Sequence, residues 1–110
     1  MMRPFAVSIA ITLLLAGCGD SPTPETSAIK DYSEVIRLKP DDAEAYYYRG
    51  YTYDIKGETD QAIKDYSEAI RLKLDYAEAY YDRGAMYHKK GDQAKADADF
   101  AKAKELEAKK

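Results

Sequence analysis

Few side chains in this sequence could carry acid–base or covalent chemistry. Among 110 residues there is one cysteine, Cys18, and one histidine, His88. One thiol and one imidazole cannot build a Cys/His metal cage or an internal disulfide, so no metal and no cofactor is expected. His88 is the only candidate imidazole base. It lies beside Lys89 and Lys90 on a predicted helix, and no Ser or Cys nucleophile stands at a recognisable spacing from it, so it reads as a solvated helix residue. Paired acids such as Asp41 and Asp42 serve a helix start more simply than an acid–base dyad. Gly50 and Gly84 are not part of a glycine-rich turn carrying Lys-Ser or Lys-Thr, which a phosphate loop requires. The inventory points away from an enzyme. What is plentiful is phenol: 11 tyrosines and no tryptophan. Tyrosine joins a large, fairly rigid face to a hydroxyl, which suits contact with another polypeptide.

The charges exclude one further class. The 17 Lys and Arg are interspersed with 20 Asp and Glu, for a net charge of -3. A nucleic-acid binder of the electrostatic kind needs clustered positive charge to displace counterions.

The tyrosines recur because the chain repeats. Residues 28–50 align with 62–84 at an offset of 34, differing only at Val35/Ala69, Pro40/Leu74, Asp42/Tyr76 and Tyr48/Asp82. The same offset relates Gly57 to Gly91, Ala62 to Ala96, Tyr66 to Phe100 and Ala69 to Ala103. Each unit predicts two helices. Asp41 with Glu44, and Asp75 with Glu78, mark starts near Ala43 and Ala77, the aspartate capping free amides and the glutamate suiting the positive end of the dipole. Lys56-Gly57 and Lys90-Gly91 mark stops, where glycine takes a left-handed turn. In the second helix Ala62, Ile63, Tyr66, Ala69 and Ile70 fall on one face of a 3.6-residue period. The fold class is therefore all-α, a stack of antiparallel helix pairs.

The unit resembles the tetratricopeptide repeat, a 34-residue helix-turn-helix with large, Gly, aromatic, Ala, aromatic and Ala residues at set places. Residues 43–76 fill these with Tyr46, Gly50, Tyr53, Ala62, Tyr66 and Ala69; residues 77–110 with Tyr80, Gly84, Tyr87, Ala96, Phe100 and Ala103. The closing Pro of the pattern is absent from both units and stands at Pro40 in the half unit before them. Residues 28–42 match a second helix only, giving an α-solenoid of two full repeats plus one half repeat. Tyr46, Tyr53, Tyr66, Tyr80 and Tyr87 are assigned to the core. The resemblance implies a concave groove lined by the first helices, here by Glu44, Tyr47, Tyr51, Asp54, Ile55, Glu78, Tyr81, Ala85, His88 and Lys89. Such a groove takes an extended peptide or a helix. Tyr47 and Tyr81 fit either that surface or packing against neighbouring helices. Family members that clamp a terminal carboxylate use Lys and Asn where this chain has Tyr47, Tyr51, Tyr81 and Ala85, which argues against a clamp here.

The ends of the array differ. Ile29, Tyr32, Val35 and Ile36 would face a preceding first helix for which the sequence has no pattern, leaving an apolar patch. At the other end Ile63 and Ile70 become Asp97 and Lys104, as for a polar cap. Two and a half units predict marginal stability, below about 5 kcal/mol, and possible relief by homodimerisation.

Ahead of the repeats, Arg3 precedes an apolar run from Phe5 to Leu15, too short to span a bilayer but fit for a signal peptide. It closes on Leu15-Ala16-Gly17-Cys18, which resembles the lipobox of bacterial lipoproteins. That implies cleavage after residue 17, a diacylglyceryl group on Cys18 and a lipid-anchored protein facing the periplasm or the cell exterior. The alternatives are an ordinary secretory signal and a buried apolar helix containing an inert cysteine. Residues 18–27, with Pro22 and Pro24, are expected to form an extended tether. The expected function is a membrane-anchored adaptor that binds a protein or peptide; the alternatives are a self-associating structural lipoprotein and a truncated relic of a longer array.

Overall fold

The computed structural model describes residues 22–110, and these form five helices: α1 (Pro24–Leu38), α2 (Ala43–Lys56), α3 (Thr59–Leu72), α4 (Ala77–Lys90) and α5 (Gln93–Ala108). Cys18 and the segment read as a signal peptide lie outside the described residues. Among those described, no helix is long and apolar enough to cross a membrane. α2 pairs with α3 and α4 with α5, while α1 packs on α2 and α3 on α4, so each helix touches its neighbours in chain order. This is the expected all-α solenoid.

Local chemistry sets the helix bounds. α2 and α4 begin at Ala43 and Ala77 and end at Lys56 and Lys90, as the spacing predicts. Gly57 and Gly91 close them at φ of 85° and 87°, and the following amides, of Glu58 and Asp92, donate back to the carbonyls of Tyr53 and Tyr87 at 2.9 Å. A side chain at either glycine would strain that left-handed turn. The caps differ from expectation. Asp42, not Asp41, accepts from the Ala45 amide at 3.1 Å. In the second unit Tyr76 occupies the cap position and no side chain bonds the free amides. Losing a carboxylate cap costs about 1 kcal/mol. Tyr76 is buried at 6% exposure, which offsets that loss because burying a large side chain contributes about 1.5–3 kcal/mol.

The tether expectation is corrected at its C-terminal end. Residues 24–27 are the first turn of α1, with Pro24 at the start and the Thr23 hydroxyl accepting from the Thr26 amide at 3.1 Å. Proline removes a donor that would be unpaired in a first turn anyway, so here it opens a helix.

The core is tiled by small residues and one ring. Ala62, Ala69, Ala79 and Ala96 are fully buried, as is Tyr66. A Cβ on Gly50 would come within 3.1 Å of the Tyr66 ring and of the Asp65 Cβ, and one on Gly84 within 3.0 Å of Phe100. The glycines let the paired helices close on an aromatic ring. Of the tyrosines assigned to the core, only Tyr66 is fully covered; Tyr46, Tyr53, Tyr80 and Tyr87 are half-buried, while Tyr76 and Met86 are buried. Tyr46 lies under the Arg49 guanidinium at 5.6 Å from the ring centre, and Tyr80 and Tyr87 flank that of Arg83 at 5.7 and 5.8 Å.

Those arginines tie the helices together. Arg49 donates to both carboxylate oxygens of Asp65, at 2.7 and 2.9 Å, and to the Ser33 hydroxyl at 2.9 Å. One unit on, Arg83 holds Asp99 at 2.8 and 2.8 Å and Ser67 at 3.1 Å. Each guanidinium joins three successive helices. Asp65 and Asp99 are buried, and the two-pronged pairing satisfies them.

Candidate functional site

The groove face gathers some of the predicted residues and leaves others apart. Tyr47, Glu78 and Tyr81 line one cleft of about 520 Å³, together with Asp82 of α4 and Phe100, Lys104 and Glu107 of α5. Tyr81 is 58% exposed, and its ring lies 5.2 Å from that of Phe100. Glu44 lines a second depression with Tyr48, Lys73 and Tyr76. Tyr51 and Ile55 are exposed on α2 and line neither. Asp54 is half-buried and pairs with Lys89 at 3.1 Å; His88 is exposed, its Nδ1 2.7 Å from the Gln93 side-chain oxygen. Ala85 packs against the buried trio Ala62, Tyr66 and Met86.

Tyr47 turns out to have both roles weighed for it. Its ring packs against Tyr66 and Tyr76 with centres 5.5 and 5.1 Å apart, and its hydroxyl donates to the Asp82 carboxylate at the floor of the cleft. Burial, then Asp82, raises the proton affinity of that hydroxyl. The Asp82 carboxyl is also pushed above the usual range. Burial is the main cause, the charges of Asp54 and Glu78 add to it, and the Tyr47 hydroxyl opposes it. Beneath lies Tyr66, whose hydroxyl is buried with no hydrogen-bond partner among the described residues and feels the charges of Asp82 and Asp54. The cleft is thus an apolar trough with acids at its floor and rim.

Sequence reasoning missed Asp82, Phe100, Lys104 and Glu107 as groove residues. One signal was present: Tyr48/Asp82 is among the four differences between the aligned repeats. Asp97 and Lys104 of α5 are exposed, and Lys104 lines the cleft with Tyr81 and Phe100, which form an apolar opening there. Among the described residues no cluster of His, Cys, Asp or Glu is arranged to hold a metal ion.

Fold and site together define a helical-repeat protein with an open, aromatic-lined face. Residues 26–54 and 55–91 match the TPR repeat family and residues 77–110 match the tetratricopeptide repeat. The chain belongs to the tetratricopeptide repeat family. A comparison with curated proteins finds none that matches. Among solved structures it is similar to the crystal structure of MamA, at 38% identity and a TM-score of 0.76 over 77% of this chain and 50% of that one. It is similar also to MamA from Desulfovibrio magneticus RS-1, at 28% identity and a TM-score of 0.74 over 78% of this chain and 49% of that one. The second TPR of Spaghetti (RPAP3), bound to an HSP90 peptide, matches at 27% identity and a TM-score of 0.73 over 74% and 76% of the two chains. The chain spans about half the length of those MamA structures.

Proposed function

We propose that this chain is a protein-interaction adaptor, not an enzyme, held at a bacterial envelope membrane by a lipid on Cys18, and that it binds a peptide or helix on the α2/α4 face. The observation that carries the binding half is the cleft itself: Tyr81, largely exposed, and Phe100 form an apolar opening rimmed by Glu78 and Glu107, with Asp82 at its floor. Exposed aromatics beside acids suit a partner with apolar and basic residues. The peptide SRMEEVD seen on the RPAP3 repeat supports peptide binding on such a fold, while its acidic composition differs from that of the partner proposed for this chain. A carboxylate clamp is not proposed, because Tyr47, Tyr51, Tyr81 and Ala85 occupy its places.

The test is recovery of partners from envelope extract by the wild type and by a Tyr51→Ala, Tyr81→Ala double variant. Both tyrosines are exposed, so the variant keeps its core, whereas Tyr47→Ala would remove a packed ring. Selective loss of a partner supports the groove; equal recovery of every partner overturns it. For the anchor, mass spectrometry of the mature N-terminus should find Cys18 first and carrying a diacylglyceryl mass. An unmodified thiol sinks it.

A second reading, self-association through α1, is favoured by one observation. α1 has no fully buried residue, and Val35 and Leu38 are exposed on it.

A further inference from the structure

The chain carries its own template for what fills the cleft. Shifted by 34 residues, Tyr81, Phe100, Ala103 and Glu107 correspond to Tyr47, Tyr66, Ala69 and Lys73. In the earlier unit that same surface is covered by α4. Ala79 packs with Ala69, Met86 with Tyr66, the Asp82 carboxylate accepts from the Tyr47 hydroxyl, and the Tyr76 ring takes the Lys73 ammonium at 4.5 Å. These four contacts fall at positions 76, 79, 82 and 86, one stripe of a helix.

We infer that the α4/α5 cleft docks an amphipathic helix of a partner protein in the register that α4 takes on α2/α3, and that the helix carries a basic residue at its start. This rests on the groove reading above and specifies its partner. Tyr81, Phe100 and Ala103 keep the aromatic and small part of the site, while Ile63 and Ile70, which belong to the clusters that Met86 and Ala79 pack in, become Asp97 and Lys104. The helix therefore needs a small residue where Ala79 sits, an apolar one where Met86 sits, and polar residues flanking them. Tyr81 needs an acceptor where Asp82 sits. The change is at Lys73/Glu107: an aromatic ring met a cation there, and a cation now fits the carboxylate of Glu107. An extended peptide does not present four contacts spaced 3, 3 and 4 residues apart on one side, because its side chains alternate faces.

The probe is a labelled peptide copying residues 74–92, made with Tyr76→Lys or with Tyr76→Glu and titrated by fluorescence anisotropy against the full chain. The wild type should prefer the Lys peptide by roughly threefold to fivefold, as for an exposed ion pair, and Glu107→Lys should reverse the preference. Tyr81→Ala should weaken both peptides by about tenfold. Glu107 is exposed and touches only Lys110 among charged groups, so its replacement leaves the fold intact. Absence of saturable binding, or a preference that Glu107→Lys leaves unchanged, overturns the inference. Partners recovered from extract that depend on Tyr51 but not on Glu107 or Tyr81 would overturn it while the groove reading stands; partners indifferent to Tyr51, Tyr81 and Glu107 alike would overturn both.

Discussion

Asp82 is a carboxylate whose ionisation the fold opposes. An unfolded aspartate titrates near about 3.9, and in the folded chain burial holds Asp82 higher. Between those two values the folded state binds the extra proton, so this group's contribution to stability falls as pH rises through that window. Glu34, Glu68 and Glu105, each lowered by hydrogen bonds from Arg37, Arg71 and Lys109, work in the opposite sense, and their contribution is lost as pH falls. Asp82→Asn isolates the first effect, because an amide oxygen can still accept from Tyr47. Melting curves should show the variant gaining on the wild type as pH rises from about 3 to 7; a difference independent of pH would contradict the assignment. The packing glycines give a second residue-scale prediction. Gly→Ala in a helix gains about 1 kcal/mol of propensity, against about 1–3 kcal/mol for overpacking. At Gly50 the methyl meets Tyr66, which is fully enclosed; at Gly84 it meets Phe100, which borders the open cleft. Urea denaturation should therefore rank Gly50→Ala as the more destabilising. The close approach at both glycines was legible from the repeat. Which ring could yield was not, since that depends on what packs over each ring in the fold.

The elements are held in place by two guanidinium staples as well as by apolar packing. Removing the carboxylate from one, as in Asp99→Ala, leaves Arg83 desolvated and unpaired and should cost roughly 3 kcal/mol. Ser67→Ala removes a single neutral acceptor and should cost about 1 kcal/mol. Replacing both charges together, Arg83→Met with Asp99→Leu, should cost less than Asp99→Ala alone, because no buried charge is orphaned. Denaturant midpoints of the three proteins check the order. The staple was present in the sequence as three residues, Ser33, Arg49 and Asp65, all recurring 34 positions on. Apolar periodicity alone did not reveal it, since a buried charge reads as a solvated one until its partner is placed. The ends of α2 and α4 were legible because Lys56-Gly57 and Lys90-Gly91 determine them locally, whereas their starts lie where the spacing put them without the predicted caps, Asp42 standing in for Asp41 and no side chain bonding the free amides at α4. The start of α1 was misread for a related reason: Pro22 and Pro24 break a helix interior, and only the Thr23 cap shows that Pro24 stands at a first turn.

Across the whole molecule burial is graded, and stability should follow it. α3 contributes five buried residues and α5 three, while α1 contributes none. In a linear stack each unit is stabilised by its neighbours, so the ends open first. Hydrogen exchange should run fastest in α1, then α5, and slowest where α3 meets α4. The order of α1 also decides whether its face stays bare. Ile29, Tyr32 and Ile36 are half-buried against α2, and Val35 and Leu38 point outward; such a face is covered only if another surface meets it. If a second copy does so, protection of α1 should rise with protein concentration, while the exchange of α3 stays fixed. Val35→Glu with Leu38→Glu, both on the outward face, should abolish that rise. These charges lie far in sequence from Tyr81 and Glu107 and on a different helix from every residue lining the α4/α5 cleft, so affinity for the helix peptides should be unchanged. Concentration-independent exchange in α1 would show instead that the array ends in a single frayed helix, and self-association would lose its one structural support.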